Sequence, residues 1–579
     1  MKREEDTAKI SVALEDILPK VRKPGRYLGN EWNVVKKDFY RQGVSFAICF
    51  PDLYEVGMSN LGLRILYGVL NAQEGVACER AFLPDIDMQQ MLKEKKLPLF
   101  SLESKVPLAE FDFVGFCLNY ELDYTNMLAM LDLAGIPLLS RERGPEFPLV
   151  IAGGACVSNP EPLADFVDIF FIGEAEEAIV EIAQIYKSHI GNHAPRIEKE
   201  DILKEIADIK GVYIPSFYEV DYDEKGEVKK FLPRFCTLPQ RITKRIVNDL
   251  NQAYYPTQWL VPYVQIIHDR APVELMRGCP HQCNFCQARN IYQSLRIRSP
   301  QKVMELAAAI LESSGYEEIS FLSLSTSEYP FLKEVIDGLQ ERLQEKAVSV
   351  SLPSLRPKAY LGKLAEYLAK VRKTTLTFAP EAGTERMRNR INKNFNMDEF
   401  YSAVLSAYRA GWQSVKLYFM IGLPDEDCQD LDGIVELVKK VSFLRKEVSP
   451  LIGEVRVSIS FFVPKPHTSF ERMAMDSQES LKGKIAYLRK KAKGLPKAVR
   501  FNFHGLETSI LEAVFSRGDR ALGKVLLKAY QRGCILDGWA EHFKFDAWQK
   551  AFEDSHITID SYLQKKTASD ILPWQHINL

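Results

Sequence analysis

The stretch Met276-Arg-Gly-Cys279-Pro-His-Gln-Cys283-Asn-Phe-Cys286 holds three cysteines at CxxxCxxC spacing, with Phe285 just before the last. Gly278 and Pro280 flank the first cysteine, which suits a loop that folds back around a ligand. Three thiolates from one loop can bind a cubane iron–sulfur cluster at three of its four irons, whereas a closed electron-transfer cluster takes four cysteines. The missing fourth suggests an iron left open for something other than protein. Zinc is the competing chemistry, with His281 as fourth ligand. Structural zinc usually draws on a second CxxC or HxxxH pair further along, and none follows here.

The rest of the chain must position that loop. At 579 residues there is room for about three or four domains. Apolar residues make up 46% and charged residues 26%, a globular balance. A net charge of −2 supplies no global field for nucleic acid, although a local basic face would suffice. The opening residues lack the apolar core of a signal peptide, and no apolar run is long enough to span a bilayer. The expectation is a cytoplasmic protein with no membrane partner. Cys49, Cys78, Cys117, Cys156, Cys236, Cys428 and Cys534 are scattered and are expected as buried small hydrophobes in a reducing compartment.

After a short polar leader, strand-like and helix-like segments alternate: Val44–Phe50, Leu61–Asn71, Phe113–Phe116, Thr125–Ala134, Leu149–Ala152 and Ile169–Ile172. This order predicts an α/β fold with a doubly wound, Rossmann-like domain over 1–190, and ligands at the carboxyl ends of its strands. A looser stretch over 191–264 reads as a linker subdomain, with a hairpin expected at Val212–Ile214 and Lys229–Leu232.

A regular βα alternation follows over 265–500. Strands are expected at Val273–Met276, Ile319–Leu322, Val348–Leu352, Thr374–Phe378, Ser414–Met420 and Val455–Phe462. These would form a partial (β/α)6 barrel with its active site at the strand carboxyl ends. Lys482, Lys484, Arg489, Lys490, Lys491, Lys493, Lys497 and Arg500 form a basic run. It is read first as a solvated helix face and second as a phosphate-contacting edge. A helical C-terminal cap is expected over 501–579.

In its cysteine spacing and its aromatic residue, the loop resembles the radical S-adenosylmethionine enzymes. The resemblance implies a [4Fe-4S] cluster on Cys279, Cys283 and Cys286, and S-adenosylmethionine chelated at the open iron. Reductive cleavage would then give a 5′-deoxyadenosyl radical that abstracts hydrogen from an unactivated carbon. A flavodoxin- or ferredoxin-like electron donor is implied as well. The same resemblance offers contacts for S-adenosylmethionine at Phe285, Ser325, Ser327, Glu328, Arg356, Glu381, Arg386, Gly422 and Pro464. Four of these carry blander alternatives: a serine-rich helix cap over 325–328 for Ser325, Ser327 and Glu328, and an ion pair to a helix carboxylate for Arg386. Ala379-Pro-Glu-Ala-Gly-Thr-Glu-Arg386 is similar to a stretch of the radical methylthiotransferase-like group.

The N-terminal domain resembles the cobalamin-binding domain that precedes many such enzymes. The resemblance rests on Gly153-Gly154 and on Asp52-x-Tyr54-x-x-Gly57, where the family carries DxHxxG and its His ligates cobalt. With Tyr54 at the His position, either cobalamin binds with no side-chain axial ligand or the domain has lost it; Tyr54 is otherwise a packing residue. If cobalamin is present, methyl transfer is the implied outcome. If not, sulfur insertion, rearrangement or oxidation remains. An iron–sulfur sensor or assembly factor, an RNA-binding scaffold, and a cobalamin-independent RNA-modifying enzyme stand as alternatives. The substrate is left open among RNA, protein and small molecule.

Overall fold

Val44–Phe50 shows no polar alternation, as befits a strand covered on both faces, and all seven of its residues are buried. In the computed structural model it is β1, interior to a six-stranded sheet. The residues described are 2–190, 199–224, 226–345, 347–352, 356 and 376–579. The sheet also holds β2 (Val76–Phe82), β3 (Phe113–Cys117), β4 (Leu149–Gly153), β5 (Ile169–Phe171) and β6 (Val212–Tyr213). Their order is β2-β1-β3-β4-β5-β6, and only β6 runs antiparallel to its neighbour. The direction of winding changes between β1 and β3, which puts the topological switch point at their carboxyl ends.

Two compact units make up the chain. The first comprises Met1–Asp269, Val514–Tyr562 and Ala568–Leu579; the second comprises Arg270–Ala513 and Leu563–Thr567. The stretches expected as a linker and a cap therefore fall largely within the first unit. Val212–Tyr213 joins the main sheet instead of forming a hairpin, and the hairpin partner of Val228–Pro233 is Tyr218–Tyr222. Arg520 pairs with the buried Glu161 at 2.7 Å, and the Asn159 amide donates to the carbonyls of Ser516 and Gly518 at 3.0 and 2.8 Å. The polar leader is also corrected: Lys2–Ile17 is a helix that buries Ile10, Leu14 and Ile17 on one face. Cys236 and Cys428 are exposed, contrary to expectation, while the other five scattered cysteines are buried.

The second unit opens with β7 (Ala271–Glu274), β8 (Glu318–Leu322) and β9 (Ser349–Ser351), three parallel strands in that order. A four-stranded parallel sheet follows, β10 (Leu376–Glu381), β11 (Ser414–Ile421), β12 (Glu454–Phe461) and β13 (Val499–Phe503). Helices lie between most of them. Pro300–Ser314 begins at Ser299, whose side chain accepts from Lys302 N, and ends at Gly315 with φ +70°. Cys428–Leu444 starts with a capping box between Asp427 and Asp430. Among the described residues the six expected strands are thus all present and a seventh joins them. The extra one, β13, alternates Val499, Phe501 and Phe503 with Arg500 and Asn502, a period of two placed across the expected barrel–cap boundary.

Candidate active site

Met276–Arg277 pairs antiparallel with Arg296–Ile297, so the cysteine loop is closed at its base by two rungs of ladder. Gly278 has φ +91°, and a Cβ there would lie 2.9 Å from Leu295 Cα and from the carbonyls of Tyr292 and Ser294. Only glycine allows the chain to turn back this closely. At its far side the loop is clipped to the turn after Glu385–Arg390. Asn284 N donates to Ile391 O at 2.9 Å, Asn284 Nδ2 to Arg390 O at 2.9 Å, and Asn392 Nδ2 to Gln282 O at 2.7 Å. Cys279, Cys283 and Cys286 are all half-buried. Burial raises the thiols of Cys279 and Cys286.

The carboxyl ends of β8 and β9 reach this loop through His281. Its Nε2 lies 3.0 Å from Glu328 Oε1, and its Nδ1 lies 2.8 Å from Arg356 Nη1. A guanidinium can only donate, so Nδ1 accepts and the neutral ring carries its proton on Nε2, which donates to Glu328. Arg356 also places Nη2 3.6 Å from Cys283 Sγ, while its backbone N donates to Ser327 Oγ at 2.9 Å. Glu328, Ser327 and Arg356 are therefore brought together with Cys283, through a histidine that the sequence offered only as a zinc ligand. Among the described residues the Ser325 hydroxyl meets no hydrogen-bond partner, though it is buried, an orphan donor beside this turn.

The ends of β10, β11 and β12 meet the loop through Phe285. That ring packs on a buried cluster of Ala382, Met387, Ile391, Leu423, Phe462 and Phe470. Lys393 Nζ lies 5.8 Å from the Phe285 ring centroid and forms a 2.7 Å ion pair with Glu381. Glu381 has φ +66° and sits at a register shift in β10. Lys393 was missed because no motif marks it. Gly422 has φ +78°; its N–H is taken by Glu426 at 2.8 Å, and a Cβ would lie 2.8 Å from Leu481. Pro464 is buried three residues past β12. Arg386 is corrected: it pairs with Asp430 and Asp427 and bonds the Asp425 carbonyl, the helix-carboxylate alternative.

Among the described residues, no three His, Cys, Asp or Glu side chains converge closely enough to hold a single metal ion. Zinc requires that convergence. A cluster does not, because each thiolate meets a different iron. Both nitrogens of His281 are engaged elsewhere, so the donor set present is three thiols, which fits a cluster with one open iron.

In the first unit, the candidate cobalamin contacts are filled by the chain itself. Tyr54 is 1% exposed, stands edge-on to Phe82 at 5.2 Å, and donates its hydroxyl to Glu31 at 2.8 Å. The cavity beside it measures about 20 Å³, room for about one water. A Cβ on Gly57 would lie 2.3 Å from the Phe82 ring, and one on Gly154 (φ +116°) 2.4 Å from Leu118 O. Gly153 has only ordinary contact, 3.7 Å from Phe171 O. Asp52 accepts from Trp539 Nε1 at 2.9 Å. Asn126 donates to Pro51 O at 2.9 Å and accepts from Leu536 N at 2.7 Å. The segment around Leu536–Trp539 thus sits at the loops that follow β1 and β3. Asp52, Tyr54, Gly57 and Gly154 are thus met closely by protein, and Gly153 is not.

Asp537, in that segment, is fully buried, and burial pushes its carboxyl up to about 6 from 3.8. A raised folded-state value means that this contribution to stability is complete below the unfolded value and is lost as pH rises through about 6. Asp537→Asn should remove that loss. Relative to wild type, the variant should gain on the order of 3 kcal/mol between pH 4 and pH 8, measured by denaturant unfolding at both pH values.

A family model described as radical SAM proteins, N-terminal, matches residues 62–215, and the radical SAM superfamily model matches 273–438. An uncharacterized protein of Methanocaldococcus jannaschii is 28% identical over 513 residues, covering 88% of this chain and 97% of that one. The threonylcarbamoyladenosine tRNA methylthiotransferase of Thermotoga maritima is 25% identical over 285 residues, 47% of this chain and 59% of its own length. Among solved structures, a cobalamin- and [4Fe-4S]-bound radical S-adenosylmethionine methyltransferase from Kitasatospora setae aligns with a TM-score of 0.48 at 11% identity, over 74% of this chain and 77% of that one. No described helix is long and apolar enough to cross a membrane. With the superfamily model spanning the cysteine loop and the strands around it, and the N-terminal model preceding it, the chain belongs to the radical S-adenosylmethionine superfamily.

Proposed function

We propose that this protein is an enzyme that reductively cleaves S-adenosylmethionine and modifies an unactivated carbon of its substrate. The observation that carries the reading is the three-thiol loop, clipped at base and tip and joined by His281 and Phe285 to the ends of the surrounding strands. Cys279, Cys283 and Cys286 would hold a [4Fe-4S] cluster, which, reduced by a flavodoxin- or ferredoxin-like donor, would supply the electron for that cleavage. Arg356 places positive charge against Cys283, and Glu328 fixes the His281 tautomer that receives Arg356. Ser325 offers its free hydroxyl to the methionyl end of the ligand, and Glu381 is held by Lys393 at the same mouth. Phe285 and its apolar cluster exclude water from one side of the loop.

The filled crevice at the switch point favours a reaction that does not use cobalamin, so no methyl transfer through that cofactor is assigned. The test is anaerobic: reconstitute iron and sulfide, reduce with dithionite, and assay 5′-deoxyadenosine with and without added hydroxocobalamin. Deoxyadenosine formed equally in both, with no corrinoid retained after desalting, is the expected result. A stable cluster that leaves S-adenosylmethionine intact would leave only a sensor or assembly role.

A further inference from the structure

From Leu481 to Gly505 the sequence contains eight Lys and Arg residues and no Asp or Glu. The structure divides these cations into two kinds. Lys484 pairs with Glu426 and Asp476 at 2.7 and 2.8 Å, and Lys491 pairs with Asp432 at 2.8 Å. Among the described residues, Lys482, Arg489, Lys490, Lys493, Lys497 and Arg500 meet no carboxylate, and all six are exposed. A helix face that merely stays solvated usually neutralises itself with acids one turn away. Gln478–Ala492 has none from Leu481 onward.

The helix lies against β13, the edge strand of its sheet. Phe501 and Phe503 project from one face of that strand, half-exposed, with ring centroids 6.5 Å apart and planes 28° from parallel. The Arg489 guanidinium lies over the Phe503 ring at 5.2 Å. Two clefts open here, of about 520 and 700 Å³. Both are lined by Arg489, Lys493 and Phe503, so they run into one another, and the larger extends past His504 and Gly505 to Glu507, whose carboxylate accepts from Gln478 at 3.3 Å.

Cations that meet no carboxylate, set along near-parallel aromatic rings, meet the two demands of an unpaired polynucleotide: charge for its phosphates and flat apolar faces for its bases. The geometry points to this cleft as a binding site for single-stranded nucleic acid. A membrane surface or a simple polyanion would use the lysines and leave the phenylalanines idle. The site stands on its own residues, whatever the outcome for the radical chemistry.

The experiment uses the full chain with its cluster reconstituted. It follows a labelled single-stranded RNA of about 12 nucleotides by fluorescence anisotropy between about 50 and 200 mM salt. The DNA strand of the same sequence, heparin and anionic phosphatidylserine vesicles serve as comparisons. The double variant Lys490→Ala/Lys493→Ala should reduce the slope of log K against log salt by about 1.4, two phosphate contacts on a single strand. Phe501→Leu should weaken RNA binding about tenfold and leave heparin binding unchanged. Equal binding of RNA and DNA would place recognition in phosphate and base faces; a preference for RNA would add the 2′-hydroxyl. Either supports the site. RNA binding no stronger than that of Lys490→Glu/Lys493→Glu, equal loss of heparin and RNA binding in Phe501→Leu, or vesicle binding in place of RNA binding overturns it. Matched thermal unfolding of all variants keeps the comparison on folded protein.

Discussion

Replacing Cys283 with alanine should lower cluster occupancy and reduce deoxyadenosine formation to background. Cys283 is the middle thiol of the loop and the one that Arg356 approaches at 3.6 Å. A cluster that already uses only three protein thiolates would be left with two. Arg356, with one amino group still on His281, would have no thiolate opposite the other. The fold should survive, because the loop's anchors are the Met276–Arg277 ladder and the Asn284 and Asn392 hydrogen bonds, none of which involves Cys283. Iron and sulfide per chain, together with mass spectrometry of the reduced sample, measure both effects. Wild-type deoxyadenosine from the variant would remove Cys283 from the site.

The largest expected change in stability belongs to Arg80→Met. Arg80 has no exposed surface, and it pairs with Glu31 at 2.8 Å and Glu103 at 2.6 Å, both buried. Burial pushes the Glu103 carboxyl up. Burial also acts to raise Glu31, but the Arg80 guanidinium overcomes it and holds Glu31 below its usual range. Methionine fills much of the volume but leaves two buried carboxylates facing each other, and Tyr54 still donating to one of them. Removing one partner from a buried charge cluster costs about 3–5 kcal/mol, and the loss should be largest at neutral pH, where the unfolded chain ionises both carboxylates and the folded variant has no cation to hold them. Denaturant unfolding at pH 5 and pH 8 measures it; equal stability of variant and wild type at pH 8 would contradict the account.

The Tyr54 network shows what was legible in the sequence. The spacing Asp52-x-Tyr54-x-x-Gly57 marked the end of a strand, and the strand does end there, at Phe50, with a one-turn helix over Tyr54–Gly57. Its occupants could not be read, because Glu31, Arg80 and Glu103 are distant in sequence from Tyr54 and joined to it only by the fold. The cysteine spacing was legible because one short segment carries the whole donor set. The His281–Glu328–Arg356 bridge was not, since its members come from the loops after three different strands. Local patterns were missed for a different reason. Ile10, Leu14 and Ile17 repeat at helical spacing, and Val499, Phe501 and Phe503 at strand spacing, but each sits among charged residues that lower the mean hydropathy. Arg386 was a case of two adequate partners, and Asp430 of Cys428–Leu444, with the capping Asp427, took it.

The loop that carries the thiols is pinned at residues 276–277 and again at 282–284 by backbone and amide hydrogen bonds that need no iron. In a small zinc module, by contrast, metal and fold arrive together. A cluster loaded onto these thiols would therefore meet a receptacle that the fold already holds in place. Loss of the cluster to oxygen would return the protein to an intact apo form, ready to be loaded again.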